Sequence, residues 1–403
     1  MSRPSLTDRL RSAATERASA HLTRRLRVVE AVQGTRVTTG GRELLNFCSN
    51  DYLGLAQSLE VTAALQESAA WLGVGSTASH LICGHHREHA QLEEELADWL
   101  GYSKALVFGS GYLANLGLLQ ALLGKDDLVV QDKLNHACLL DGARLAGCEL
   151  KRYPHVDAES AERQLQSRPQ AAAMLATDGV FSMDGDLAPL RELSAIAKAQ
   201  GALLHVDDAH GVGVVGPGGR GSVAASGLTA REVPLLLVTF GKAIGTYGAA
   251  ICGPTDVIDA LVETARPFGL TTALPPALAA ATRRSLSLIK NEPWRRFKLA
   301  ALIARFRRGA RQLGLPVLDS STPIQPLLVH GNVEALRAAQ ALQARGVLIS
   351  AIRPPTVPEG RARLRVTLSS AHSESEVDQL LDALGGVLKD HLTPPRLPKS
   401  LTR

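Results

Sequence analysis

A chain of 403 residues with 45% hydrophobic and 21% charged residues has the make-up of an ordinary globular protein, long enough for one large domain and a smaller one. No apolar stretch reaches the roughly 18 residues that cross a bilayer, and no secretory leader is recognisable, so no membrane association is expected and the cytoplasm is the expected location. The net charge of +5 is small for this length, which argues against nucleic-acid binding, and five scattered cysteines without Cys-x-x-Cys spacing argue against a disulfide framework or a zinc site.

In chain order, residues 5–32 are rich in arginine but also carry Asp8, Glu16 and Glu30, a mixture that predicts an amphipathic surface helix rather than a transit peptide. Between about residues 104 and 255 short apolar runs alternate with helical patterns. The runs at 105–108, 127–130, 171–175, 202–206 and 235–239 lack polar alternation, which predicts a mostly parallel sheet covered by helices on both faces, an α/β fold. A long helical region, about 275–313, leads to a smaller α+β unit with strands at 324–329 and 347–349, an alternating strand at 362–368 and a last helix opened by the capping box Ser373-x-x-Glu376. The expected division is 1–50 for an N-terminal helix and short strands packing with the small domain, 51–290 for the large domain and 291–403 for the small one. The basic, proline-containing tail after residue 391 is expected to fray.

Ligands of parallel sheets bind outside the carboxyl ends of the strands, and the polar motifs fall there. Lys242 follows Thr239-Phe240-Gly241 at the end of a buried strand, where partial desolvation and nearby positive charge keep an amine nucleophilic. The preceding strand ends in Asp207-Asp208-Ala209-His210. A lysine at one strand end and Asp-x-Ala-His at another is the pairing that holds pyridoxal 5'-phosphate (PLP), with the lysine as covalent anchor and the carboxylate beside the ring nitrogen. Asp207 suits that role, His210 the phenolic oxygen, and Asp208 a turn cap. His136, in Asp132-Lys133-Leu134-Asn135-His136, is placed to stack on the ring. Gly109-Ser110-Gly111-Tyr112 forms a strand–loop–helix turn suited to phosphate, and Ser182 and Thr239 add hydroxyls at two further strand ends.

Taken in order, these segments resemble the α-oxoamine synthase family of PLP-dependent, fold-type I, aminotransferase-like enzymes. The resemblance runs from about residue 20 to 390 and rests also on Asn46-Phe47-Cys48-Ser49-Asn50-Asp51-Tyr52, His89-x-x-Leu92-Glu93, Gly179 to Asp186 and Thr271-Thr272-Ala273-Leu274-Pro275-Pro276. Within the family, Ala351 to Pro358 followed by Ala362-Arg363-Leu364-Arg365 is most similar to the biotin-pathway branch. It implies an acyltransferase that condenses L-alanine with a pimeloyl thioester of coenzyme A or acyl carrier protein, with loss of CO2. By the same resemblance Lys242, His136 and Asp207 are catalytic. Gly111, Tyr112, Ser182, His210 and Thr239 contact the cofactor, and Thr271 and Thr272 reach the phosphate in the partner subunit of a homodimer with shared sites. Arg24, Asn50, His136, Thr356 and Arg365 are the implied substrate ligands, Arg365 with a guanidinium fork matched to a carboxylate. One stretch departs from the family: Thr77-Ala78-Ser79-His80-Leu81 follows Gly73-Val74-Gly75-Ser76 where members are richer in glycine.

The nearest alternatives keep the mechanism and change the substrates: glycine with acetyl-CoA, glycine with succinyl-CoA, or serine with a long acyl-CoA. A non-catalytic partner subunit is disfavoured by the presence of Lys242, Asp207 and His210, and a nucleotide-binding module by the lack of G-x-G-x-x-G. The basic run from Arg295 to Arg311 reads as a solvated helix face, or as a docking face for an acidic acyl carrier protein.

Overall fold

The computed structural model describes residue 3 and residues 5–391. It comprises two compact units, one of residues 50–300 and one in which the chain before residue 50 joins the chain after residue 300. In the first, a seven-stranded sheet has the spatial order Lys104–Phe108, Ala249–Gly253, Leu235–Thr239, Leu203–Asp207, Ala173–Asp178, Leu128–Asp132, Glu149–Tyr153. From Leu235–Thr239 onward the neighbours are parallel. Ala249–Gly253 runs antiparallel to both strands beside it. The central strands are buried on both faces, which is why their sequences show no polar alternation. Because the strands are parallel, Asp132, Asp178, Asp207 and Thr239 all end on one edge, and Asp178 lies in register opposite Asp207.

Two helices frame that edge. Gly111–Leu122 begins where Leu113 N–H donates to the Ser110 hydroxyl (3.3 Å), and buries Ala114, Leu118 and Leu119 in the core of the sheet. Ala137–Ala146 is capped by the His136 ring, which accepts from Cys138 N–H (3.3 Å), and closes at Gly147 in the left-handed region.

The second unit holds two small sheets. Arg42–Asn46 pairs with Arg36–Thr39 and, in parallel, with Val347–Leu348, while Ile324–His330, Ala362–Thr367 and Ser350–Ile352 form an antiparallel sheet. The capping box of the last helix is made in both directions, Glu376 N–H to the Ser373 hydroxyl (3.2 Å) and Ser373 N–H to the Glu376 carboxylate (2.8 Å).

Several sequence expectations change. The N-terminal helix covers only Leu6–Ser19 and buries no residue, so it is not amphipathic in use; it gives way to irregular chain near His21, whose φ is 55°. The region 275–313 is two helices, Pro276–Asn291 and Trp294–Gln312, because Pro293 supplies no N–H. The run 347–349 shortens to Val347–Leu348 in one small sheet, and Ser350–Ile352 just beyond it joins the other. Ala362–Thr367 is buried throughout, Arg363 and Arg365 included, and does not alternate. The expectation for the tail lies outside the described residues.

Candidate active site

The strand ends enclose a pocket of about 500 Å³, counted out to its open mouth. Lys242, Asp207, His210 and His136 line it together with Gly111, Tyr112, Ser182 and Thr239, so eight sequence candidates from five separate segments meet in one place.

Asp207 forms the floor. One carboxylate oxygen accepts from the Asn115 side-chain amide (2.7 Å), the other from Ala209 N–H (3.1 Å). Asn115 is fully buried and is itself held through its carbonyl oxygen by His205 Nε2 at 2.9 Å. Asp178 lies beside it, and burial, followed by the adjacent Asp207 charge, holds the Asp178 carboxyl well above the usual carboxylate range. Asp208 turns the other way. It accepts from Ser222 N–H (2.7 Å), and Gly211 and Gly221 pack against it so closely that a Cβ on either would lie 2.0 Å from its oxygens. Burial raises its carboxyl to about 7.

His136 is exposed at the open pocket, and partial loss of hydration there lowers its pKa, keeping the ring neutral. Burial pushes the Cys138 thiol up, so it remains S–H, 2.8 Å from His136 Nδ1. With Cys138 N–H donating to the same nitrogen, the proton of His136 belongs on Nε2. His136 N–H donates to Asp178 (3.2 Å).

Lys242 Nζ lies 2.9 Å from His210 Nε2, and His210 Nδ1 lies 2.5 Å from the Tyr52 hydroxyl, which reaches Asn50 Oδ1 at 3.3 Å. A charged Lys242 donates to Nε2 only when Nδ1 carries the ring proton and donates to Tyr52. The His210 tautomer therefore follows the protonation of Lys242. At the pocket's other end, Tyr112 donates to Asp141 (2.5 Å) and sits at the start of the Gly111–Leu122 helix, whose free N–H groups favour an anion.

Other candidates lie elsewhere. Thr271 and Thr272 are exposed and do not line this pocket; the Thr271 hydroxyl donates to Pro267 O (2.8 Å), and Thr272 bridges Ser79. In the second unit Arg24 donates to the Thr356 hydroxyl (3.3 Å), Arg27 reaches Gln343, and the buried Arg365 donates to the Thr367 hydroxyl (3.2 Å). Asn115, Tyr52, Asp178 and Cys138 had been given no role from sequence. Asn115 carried a readable signal, an amide on the buried face of a mostly apolar helix.

The donor set is complementary to PLP: an anion seat at a helix start, a buried acidic floor for a protonated ring nitrogen, and an amine for the aldehyde carbon. A sheet of this topology carrying that set defines a PLP-dependent enzyme of fold type I. The chain belongs to the aminotransferase class I and II family, which it matches over residues 42–384. A curated 8-amino-7-oxononanoate synthase of Xylella fastidiosa (strain M12) is 55% identical over 95% of this chain and 96% of its own. One of Xanthomonas euvesicatoria pv. vesicatoria (strain 85-10) is 56% identical with the same coverage. Among solved structures, a serine palmitoyltransferase of S. paucimobilis with a bound PLP–myriocin aldimine superposes with a TM-score of 0.91, 28% identity and coverage of 96% of this chain and 99% of that one. The 8-amino-7-oxononanoate synthase of Francisella tularensis gives 0.75 at 28% identity, covering 86% and 98%.

Proposed function

We propose that this enzyme condenses L-alanine with a pimeloyl thioester, yielding 8-amino-7-oxononanoate, CO2 and the free thiol, an acyl transfer of biotin biosynthesis. The observation that carries the reading is the identity of 55% or more, over nearly the whole length of both chains, to curated synthases of that name. Bound PLP supplies an electron sink for negative charge developing at the Cα of the amino acid.

The residues take the following parts in this proposal. Lys242 anchors the cofactor, then removes the Cα proton of alanine and later returns one. His210 supports that exchange, because its two nitrogens join the lysine amine to Tyr52. Asp207, pinned by Asn115 and Ala209 N–H, keeps the ring nitrogen protonated. The neutral His136 ring covers one face of the cofactor, and its fixed Nε2–H is a donor for substrate. Gly111 and Tyr112 hold the phosphate, with Ser182 and Thr239 at the ring's edge. Arg24, Asn50, Thr356 and Arg365 bind the acyl substrate.

The enzyme acts as a homodimer. Thr271 and Thr272 are exposed outside their own chain's pocket, and the neighbouring Leu81 and Leu270 are 53% and 68% exposed, an apolar surface suited to a second copy whose phosphate the threonines would reach. The thiol carrier is coenzyme A or acyl carrier protein. Arg305 is already paired with Glu374 (2.6 Å) and Asp378 (2.7 Å), so attraction of an acidic carrier falls to the exposed Arg308 and Arg311. No helix among the described residues is long and apolar enough to cross a membrane, in keeping with work in the cytoplasm.

Carboxyl-labelled alanine and pimeloyl-CoA, incubated with the PLP-loaded enzyme, should release labelled CO2 and a product of the mass of 8-amino-7-oxononanoate. Alanine that keeps its carboxyl label under these conditions would overturn the reading.

A further inference from the structure

Away from the pocket, three histidines converge. One nitrogen from each of His80, His85 and His89 lies within 4.8 Å of the others. The chain brings them together through a single π-helical turn, His80–Gly84, followed by the helix Arg87–Leu100. Gly84 makes the turn possible, since a Cβ there would meet Ala78 O at 2.1 Å. The turn folds His85 back so that its Nδ1 faces His80 Nδ1 at 2.9 Å.

Each ring is also held from outside. His80 stacks on Phe268, with centroids 4.5 Å apart. His89 Nε2 donates to Leu274 O (2.6 Å), which leaves the lone pair on Nδ1, where it accepts from His86 N–H (2.9 Å). His85 Nε2 lies 3.7 Å from the Glu93 carboxylate, and the other oxygen of Glu93 accepts from Val107 N–H (2.8 Å). Burial keeps His80 and His89 neutral, lowering them to about 3 and about 4.

We propose that His80, His85 and His89 bind one divalent ion of the zinc class through their Nδ1 atoms, with water in the remaining position. Tetrahedral zinc with bonds of about 2.0–2.1 Å sets its ligand nitrogens roughly 3.3 Å apart. The 2.9 Å pair needs to open slightly, and the widest separation to close, both within reach of side-chain rotation. The outer partners are those of a metal site: a backbone carbonyl on the far nitrogen of His89 and a carboxylate beside that of His85. His89 exchanges its bond from His86 N–H for the metal. His85, the exposed member, gives the ion its entry. Attention to cysteine spacing alone misses such a site, because its ligands are all imidazoles. The segment is also joined to the Thr271–Thr272 loop, through the Ser79–Thr272 bridge and Ala273 N–H to Ala78 O (2.9 Å), so an ion would stiffen both.

The test uses untagged, PLP-loaded enzyme stripped with a chelator and titrated with Zn2+ alone by calorimetry, with bound metal counted by mass spectrometry. One ion per chain and a zinc-dependent rise in unfolding temperature are expected. His80→Gln and His85→Gln should each weaken binding by at least about tenfold, and Glu93→Gln by roughly tenfold, whereas His330→Gln should leave it unchanged. Cobalt-loaded wild type supplies a readout that needs no variant: intense visible bands of a tetrahedral site support the assignment and the weak bands of an octahedral one overturn it. Absence of stoichiometric binding, or binding that survives both His80→Gln and His85→Gln, overturns it as well. A hydrogen-bonded histidine cluster without metal affinity would give the first of these.

Discussion

Asp207 and Arg24 are each expected to meet an ionic group of a ligand, yet they are held in opposite ways. Asp207 is 6% exposed, ends a strand in register with Asp178, and has both oxygens fixed, one by an amide that is itself fixed by His205. Arg24 lies in exposed, irregular chain, with a 3.3 Å hydrogen bond to the exposed Thr356 hydroxyl. The first is set by the sheet before any ligand arrives. The second has slack, and in the proposed role its geometry would be completed by the acyl substrate. The contrast separates the chemistry, built on rigid strand ends, from the choice of acyl group, left to adaptable segments.

The comparison can be broken at its rigid end first. Lys242→Ala should lower turnover by at least about a thousandfold with the fold intact, because anchor and proton carrier are lost together. Steady-state kinetics beside circular dichroism would check it, and retention of a tenth of the activity would remove Lys242 from the centre of the account. Asn115→Ala touches no substrate but frees Asp207. A tenfold fall in kcat, equivalent to about 1.4 kcal/mol, with little change in KM for alanine is expected. The unsatisfied floor should also cost about 1–3 kcal/mol of stability, read from denaturant unfolding.

At the adaptable end, Arg24→Ala should raise KM for the acyl thioester by roughly tenfold and leave kcat within about a factor of two, the pattern of lost uniform binding. Arg25→Ala is the control, and an equal effect from it would mean that the arginine segment acts only through its charge.

The smallest effect concerns the edge of the sheet itself. His155 joins Asp132 (3.1 Å) to Asp186 (2.8 Å), two residues of the sequence motifs that line no part of the pocket. Burial alone would lower its pKa, but the hydrogen bonds it donates to the two carboxylates outweigh that and raise it to about 10. A folded-state value above the unfolded one means the ion-paired histidine stabilises fully below about pH 6.5. That contribution fades as the pH climbs toward 10. The difference in unfolding midpoint between wild type and His155→Gln should therefore shrink from pH 6 to pH 10, and a difference that grows with pH would contradict the assignment.

Legibility in the sequence followed the same divide. The strands 203–207 and 235–239 and the residues that end them were readable, because burial on both faces leaves continuous apolar runs and the chain leaves them at fixed points. Ala249–Gly253 was not singled out; a short run of small residues gives little strand signal, and only tertiary pairing makes it antiparallel. Arg363 and Arg365 imitated a solvent face. Their strand is central, paired on both sides, and their guanidinium donors find Arg361 O and the Thr367 hydroxyl; the pairing is tertiary and local pattern does not reveal it. Tyr52 stood inside a quoted motif and Asn115 just past one, neither with a role, since the partners that define them are distant in sequence: Asn115 is 92 positions from Asp207 and Tyr52 158 from His210. The reach of Arg24 toward Thr356, 332 positions away, belongs to the same class.

The measurement that bears most directly on the central claim is a matrix of kcat/KM values for alanine, glycine and serine against pimeloyl, acetyl, succinyl and palmitoyl thioesters. Alanine with the pimeloyl thioester should lead every other pair by at least about tenfold, a margin of about 1.4 kcal/mol in transition-state binding. A higher value for glycine with acetyl-CoA, or for serine with palmitoyl-CoA, would leave the PLP site standing and contradict the assigned reaction.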